Sequence, residues 1–501
     1  MPSLLQRFYA EIGLEALTNS PRDTKILCLQ RLVRMFAYGG ATVILALYLS
    51  SLGISEPKIG LFMTLTLLGD VVISLILTMI ADGIGRRRML GLGSLLMTAS
   101  GIVFATCSNY WVLVAASVLG VISPSGNEIG PFKAIEESTI SQLVSSKERS
   151  SVLAWYILFG SAGTAGGTIS CGWATQSLQM HRGWTALESY RVLFWAYAVL
   201  GLVKLALSLI LTPAAEQGRP PTAPKPTANA GETRPLLAEQ QNGAVITPNI
   251  PSSPHRDHDD SPIIQKPSST HPTILQALKS LLPPLSPESQ SILTKLCLLF
   301  AIDSIASGLT PASWITYWLH VKFHLAEGSL GTLFFFLSIL SSGSNLVASS
   351  IARRIGLIKT MVLTHMPASV ALSLVPLPGS VVVVMALLAF RASTSSMDQA
   401  PRQAFLAGAV LPHERTAVMG MVNVVKTLSQ SLAPVVTGAL AGKGEFWVAF
   451  VVAGALKLAY DVLMLALFWG YRTQEERAEG RVAGVLQEER EQGTDEDRMA
   501  P

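Results

Sequence analysis

Charge is what this chain has least of. Only 14% of its 501 residues are Asp, Glu, Lys or Arg while half are hydrophobic, a balance that excludes a soluble globular fold. Cysteine is scarce too. Cys28, Cys107, Cys171 and Cys297 lie far apart with no CxxC, so no disulfide framework exists and they read as apolar filler. No GxxxxGK[ST] phosphate loop occurs, which argues against an ATP-driven pump. His320, His365 and the histidines near 255–271 have no metal-ligand spacing, and no nucleophile constellation is visible, so neither a cofactor nor an enzymatic centre is expected. The net charge of +4 is small and dispersed, which excludes a nucleic-acid footprint. Residues 1–28 hold Arg7, Glu11, Glu15, Arg22 and Lys25 with no apolar core, so no cleavable signal peptide is expected.

What is present in quantity is long apolar sequence. A spanning helix needs roughly 20 mostly apolar residues. Windows meeting that length fall at 35–53, 58–80, 89–107, 110–130, 151–174, 190–211, 293–319, 328–350, 360–377, 381–406, 415–440 and 446–470. The fold class expected is an all-α membrane protein with twelve transmembrane helices in two pseudo-symmetric six-helix bundles.

The chain then divides into a cytosolic amino-terminal segment (1–28), a first bundle (29–211), a linker (212–290), a second bundle (291–471) and a charged tail (472–501). The linker is rich in Pro, Ser, Thr, His and Asp and cannot bury a core, so disorder is expected there. Basic residues gather in the even-to-odd loops (Arg86, Arg87, Arg88, Lys147, Arg149, Arg353, Arg354, Lys359, Arg415). The opposite loops hold fewer: Lys58, Arg182, Arg191, Lys322 and Lys443. Positive charge marks the cytosolic side, which puts both termini in the cytosol. The halves also repeat: ADGIGRRRML aligns with ARRIGLIKTM, pairing Gly85 with Gly356 at an offset of 271, the offset that pairs Gly60 with Gly331. SSKERSSVL aligns with LPHERTAVM, pairing Glu148 with Glu414 at 266. Parallel repeats in a polytopic chain mark transporters with a substrate site between the halves.

At these residues the chain resembles the major facilitator superfamily, over all twelve spans. TMIADGIGRRRM supplies Ala81, Asp82, Gly85, Arg86 and Arg87 in register with the family's Gly-x-Leu-Ala-Asp-Arg-x-Gly-Arg-Arg signature, with Thr78 in place of its first glycine and Gly83 in place of a basic residue. Arg353 and Gly356 belong to the second copy. The resemblance implies that this loop latches the cytosolic side in the outward-facing state, Asp82 meeting the amino end of the eleventh helix. LVSSKERSSVLAWY and AVLPHERTAVMGMV resemble the motif between helices four and five and its repeat. The antiporter signature Gly-Pro-x-x-Gly-Gly is unmet: GSAGTAGG has the glycines without the proline. Drug/proton exchange is therefore suggested by the resemblance and not shown by this signature.

A charge at the bilayer centre costs about 2.5–3.5 kcal/mol on insertion scales, so each must be paired or face the transport path. Asp303, Glu128, Arg391, Asp398 and Lys133 are the candidates for a substrate and coupling path, with protons as the expected co-substrate. Lys457 and Asp461, at i and i+4, are expected to neutralise one another structurally. Counting 1.5 Å per residue from Tyr110 carries Glu136 about 39 Å, to the cytosolic mouth. By the 266 offset Glu136 matches Arg402, so Glu136 or Glu137 is expected to pair with Arg402 across the halves, closing the cytosolic gate when the protein faces outward; the bland alternative is a solvated helix end. Glu232, Leu236 and Leu237 fit an acidic dileucine signal for sorting adaptors, which sets a vacuolar or lysosomal membrane beside the plasma membrane. The preferred reading is a proton-coupled exporter of small organic molecules. Uptake by symport or facilitated diffusion is the second reading, and a transport-inactive receptor or scaffold the third.

Overall fold

The computed structural model describes residues 14–120, 122, 124, 131–145, 148–216, 286–411 and 414–469. With no water in a bilayer to satisfy the backbone, apolar runs must close their hydrogen bonds internally. Accordingly the described residues form sixteen α-helices and no strand. The first eight are α1 (Leu14–Asn19), α2 (Arg22–Ser51), α3 (Glu56–Ile84), α4 (Arg86–Thr106), α5 (Tyr110–Gly120), α6 (Pro131–Leu143), α7 (Arg149–Arg182) and α8 (Ala186–Ile210). The second eight are α9 (Pro287–Leu309), α10 (Ala312–Phe323), α11 (Glu327–Ile355), α12 (Leu357–Leu374), α13 (Val381–Ser395), α14 (Gln399–Ala409), α15 (Arg415–Ala441) and α16 (Phe446–Phe468).

Among the described residues, ten helical stretches are long and apolar enough to cross a membrane. Large apolar side chains such as Trp111, Leu209, Leu298, Val382 and Trp469 are more than half exposed. Lipid is the solvent such a surface requires. Three expected spans are broken. The fourth is split between α5 and α6, with Ile122 and Pro124 outside both helices. The seventh breaks at Thr310–Pro311 and the tenth at residues 396–398.

Two boundaries differ from expectation. The first membrane helix begins at Arg22, thirteen residues before 35, so Arg31 and Arg34 lie inside it and are buried. The expected linker begins at 212, yet Thr212 is tied to Asp23, donating from its hydroxyl at 2.5 Å and from its backbone at 3.2 Å, and Pro213–Ala215 form a 3-10 turn.

The repeat is visible in the backbone. Gly85 (φ 96°) and Gly356 (φ 90°) both precede a helix in a left-handed conformation. Only glycine adopts that conformation freely. These two turns mark one end of the bundles, the turn end. Gly60 on α3 meets α15, where a Cβ would lie 2.5 Å from the Pro434 carbonyl. Gly331 on α11 meets α7, where a Cβ would lie 2.4 Å from the Thr168 carbonyl. The second helix of each half thus crosses the fifth of the other at backbone contact.

Among the described residues, the hydrogen bonds joining the halves lie away from the turn end. Tyr317 donates to Glu56 at 2.9 Å, Gln179 and Tyr190 donate to Glu327 at 3.1 and 2.7 Å, and Trp173 donates to Thr332 at 2.9 Å. Deeper, the Val435 amide donates to Thr64 at 3.1 Å and the Ser313 hydroxyl to the Thr42 carbonyl at 2.9 Å. Toward the turn end, Gly420 on α15 and Gly343 on α11 face open space. Among the described residues, the halves are hydrogen-bonded to one another at one end and not at the turn end.

Candidate functional site

Helical spacing gathers charge into the second half. On α9, Phe300, Asp303 and Ser307 share one face; on α16, Lys457, Tyr460 and Asp461 do; on α12, His365 and Ser369 do. Asp398 caps α14, one turn before Arg402. Leu296, Leu299, Met361, Val362, Phe405 and Met464 wall the cluster with apolar surface. In such a wall an ion persists only with partners.

Asp303 is the centre. Its carboxylate accepts from Lys457 at 2.7 Å on one oxygen and from Arg402 at 3.1 Å on the other. Arg402 also grips Asp398, and Lys457 donates to Ser307 at 2.8 Å. His365 sits between two acids: Nδ1 is 2.9 Å from Asp461, and Nε2 is 3.9 Å from Asp303. Ser369 donates to Asp461 at 3.2 Å, and the His365 ring meets Tyr460 edge to face. The acids and permanent cations in direct contact number three (Asp303, Asp398, Asp461) and two (Arg402, Lys457), a sum of 2 − 3 = −1. A proton shared onto His365 brings that sum to zero.

The first half holds a mirrored pair. Arg34 on α2 grips Glu136 on α6 through two bonds of 2.5 and 2.8 Å, and Tyr156 donates to the same carboxylate at 2.7 Å. Both ions are buried, and Arg31 stacks 4.1 Å over the Tyr156 ring. Arg34 and Asp303 stand 303 − 34 = 269 apart, and Glu136 and Arg402 stand 402 − 136 = 266 apart. Each half therefore ties its first span to its fourth by an ion pair, with the signs exchanged.

Several expected placements change. Glu136 is buried rather than on a solvated helix end, and the rise count that put it at the mouth assumed an unbroken helix, which the break between α5 and α6 does not provide. Nor does the structure bring Glu136 or Glu137 to Arg402; Glu136 is held by Arg34 and Arg402 by the two aspartates. Lys133 lies 3.8 Å from Glu137, both more than a third exposed, a solvated i,i+4 pair rather than part of a buried path. Lys457 and Asp461 do not neutralise one another, because Lys457 turns to Asp303 and Asp461 to His365. Asp303 and Asp398 fall in one network as path candidates, and Arg391 is placed within electrostatic reach of Asp303. Glu128 and the dileucine residues Glu232, Leu236 and Leu237 lie outside the described residues, as do the side chains of Asp82 and Arg353. Arg86 reaches Gln142 and Arg87 the Leu209 carbonyl, so the loop after α3 braces its own half.

Sequence reasoning missed Arg34, His365 and the functional placement of Lys457 and Asp461. Arg34 was masked by the apolar window starting at 35. His365 was set aside for lack of metal spacing, although a lone imidazole in an intramembrane helix is itself a signal. A separate cavity of about 220 Å³ between α2, α7 and α8, lined by Phe36, Gly40, Ile44, Gly167 and Leu193, has no charged lining residue.

Comparison with known proteins follows the same geometry. The sequence pattern of the Major Facilitator Superfamily matches residues 27–312 and 296–491. The chain is 32% identical over 451 residues to "Uncharacterized membrane protein YJR124C" of Saccharomyces cerevisiae, covering 90% of this chain and 94% of that protein. Among solved structures, the nucleoside transporter NupG superposes with a TM-score of 0.61 at 12% identity, covering 90% of this chain and 100% of that one. The D-xylose-proton symporter gives 0.61 at 11% identity, covering 88% and 96%. At those identities the likeness is one of fold.

Proposed function

Because the chain belongs to the Major Facilitator Superfamily, and is thus a multi-pass membrane transporter of helical fold, we propose that it is a proton-coupled secondary transporter of small organic molecules working by alternating access. One observation carries this reading: Asp303 is held between Lys457, Arg402 and His365 inside an apolar wall of the second half. Imidazole is the ordinary side-chain carrier of a proton near neutral pH, and His365 completes the charge of its cluster when protonated. A buried network that gains or loses one unit of charge has two electrostatic states. The hydrogen bonds joining the halves away from the turn end are the element whose making and breaking those states would bias.

The basic residues of the turn end support a cytosolic side there, with both termini, and the plasma membrane is the proposed location. Adaptors reading Glu232, Leu236 and Leu237 would redirect it to a vacuolar or lysosomal membrane. Export by proton exchange requires substrate and proton to compete. Co-transport requires them to bind together.

The test is export of two preloaded dyes, the cation rhodamine 123 and the anion fluorescein, together with their uptake, in cells expressing the protein with and without an uncoupler. Uncoupler-sensitive movement of either dye, lost in Asp303→Asn at equal protein level, is the expected result. Movement indifferent to the uncoupler, or unchanged in Asp303→Asn, contradicts the proton-coupled reading.

A further inference from the structure

Among the described residues, two basic groups beside the Asp303 cluster have no carboxylate within ion-pair distance. Lys426, eleven residues into α15, lies 5.7 Å from the Phe300 ring; Arg402 lies over the same ring at 5.2 Å. Lys426 is within electrostatic reach of Asp303, Asp398, Arg402 and Lys457, yet among the described residues no carboxylate comes within ion-pair distance of it. Arg391 on α13 is in the same position: Asp303 is within electrostatic reach but out of contact, because that carboxylate is already taken by Lys457 and Arg402. Both are partly exposed, whereas Asp303, Asp398, Asp461, His365 and Lys457 are buried.

The charge sum of the whole region follows. Counted at their ordinary charges, four basic groups (Arg391, Arg402, Lys426, Lys457) against three acids (Asp303, Asp398, Asp461) give 4 − 3 = +1 with His365 neutral. The excess resides on the two residues with partial exposure. Lys426 also stands four residues before Gln430, and 430, 433 and 437 carry the α15 stripe packed on α9, where Gln430 and Ala433 crowd Gly308 and Thr437 donates to the Leu309 carbonyl. Toward the turn end from Lys426 that packing gives way to open space at Gly420. An ammonium at this depth is costly unless an anion meets it.

We infer that the substrate carries an anionic group, a carboxylate or phosphate, which Lys426 and Arg391 bind at the edge of the Asp303 network. This rests on the transporter reading above and deepens it. Negative charge arriving on the Lys426 side favours a proton on His365, which faces Asp303 from α9 and Lys457, Tyr460 and Asp461 from α16, with Asp398 and Arg402 on α14 and Arg391 on α13 nearby. Anion and proton therefore bind together, and coupling takes the sign of co-transport.

The experiment measures thermal unfolding of the purified full-length protein with fluorescein, benzoate and inorganic phosphate, against tetraphenylphosphonium and glucose, at pH 5.5 and 8. At least one anion is expected to raise the Tm, with tighter apparent binding at pH 5.5. Losing the charge in Lys426→Gln should weaken that binding about tenfold or more, with Lys426→Arg retaining most of it. His365→Gln should erase the pH difference while leaving binding at pH 8. Stabilisation by the cation or glucose alone, by none of the five, or by an anion equally in Lys426→Gln and Arg391→Gln overturns the assignment. Uncoupler-sensitive movement of rhodamine 123 without anion binding would sink the anion site and leave proton-coupled transport standing. Anion binding that survives while no dye moves in an uncoupler-sensitive way would do the reverse.

Discussion

At the residue scale the two mirrored ion pairs make separable predictions. Arg34 and Glu136 are buried and doubly bonded, and removing one partner of such a pair leaves a charge in apolar surroundings. Glu136→Ala is expected to destabilise the protein by roughly 3–5 kcal/mol, read as a lower Tm in detergent. Exchanging the two residues, Arg34→Glu with Glu136→Arg, should recover much of that loss, and equal instability of single and double variants would count against the pair. His365→Gln has a different signature, because glutamine can still bond Asp461 but cannot carry the proton: stability should change little while the pH dependence of transport flattens. Asp303 was legible in the sequence because an acid alone in an apolar run must have a reason. Its partners were not, since Lys457 and Asp461 at i,i+4 look self-sufficient and only the packing of α16 on α9 and α12 turns them outward to Asp303 and His365.

Among the elements, the glycines at helix crossings carry the geometry. A Cβ at Gly60 would lie 2.5 Å from the Pro434 carbonyl and 2.9 Å from Gly438, backbone that cannot step aside without parting α3 from α15. Gly60→Val is expected to cost about 1–3 kcal/mol by overpacking and to loosen the closed end. A measurable consequence is faster labelling of a cysteine placed at Thr64, which now accepts from Val435 across the halves. Unchanged labelling would mean the crossing does not hold that end shut. The break of the fourth span was readable from Gly126, Gly130 and Pro131, but its effect on depth was not: once α5 and α6 are separate, distance along the chain no longer measures distance across the membrane. The early start of α2 was hidden for a related reason, because Gln30, Arg31 and Arg34 look like a polar segment until their burial against neighbouring helices is known.

For the whole molecule, the offsets of 271 and 266 gave the two-bundle architecture before any coordinates, because equivalent turns need the same residues, as Gly85 and Gly356 do. They could not tell which charges face their own half and which face the other. In the arrangement seen, Glu136 and Arg402 each pair within their own half, and the expected Glu136 to Arg402 gate belongs to the outward-facing arrangement. The central claim is that protonation of the Asp303 and His365 network biases which end of the molecule is open. It is tested most directly by the distance between spin labels at the exposed turn-end positions Ser145 and Arg354, in a protein whose four native cysteines are replaced, between pH 8 and pH 5.5. The account predicts a pH-dependent shift in the distance distribution that Asp303→Asn and His365→Gln both abolish. A distribution insensitive to pH, or a shift that survives both substitutions, would contradict it.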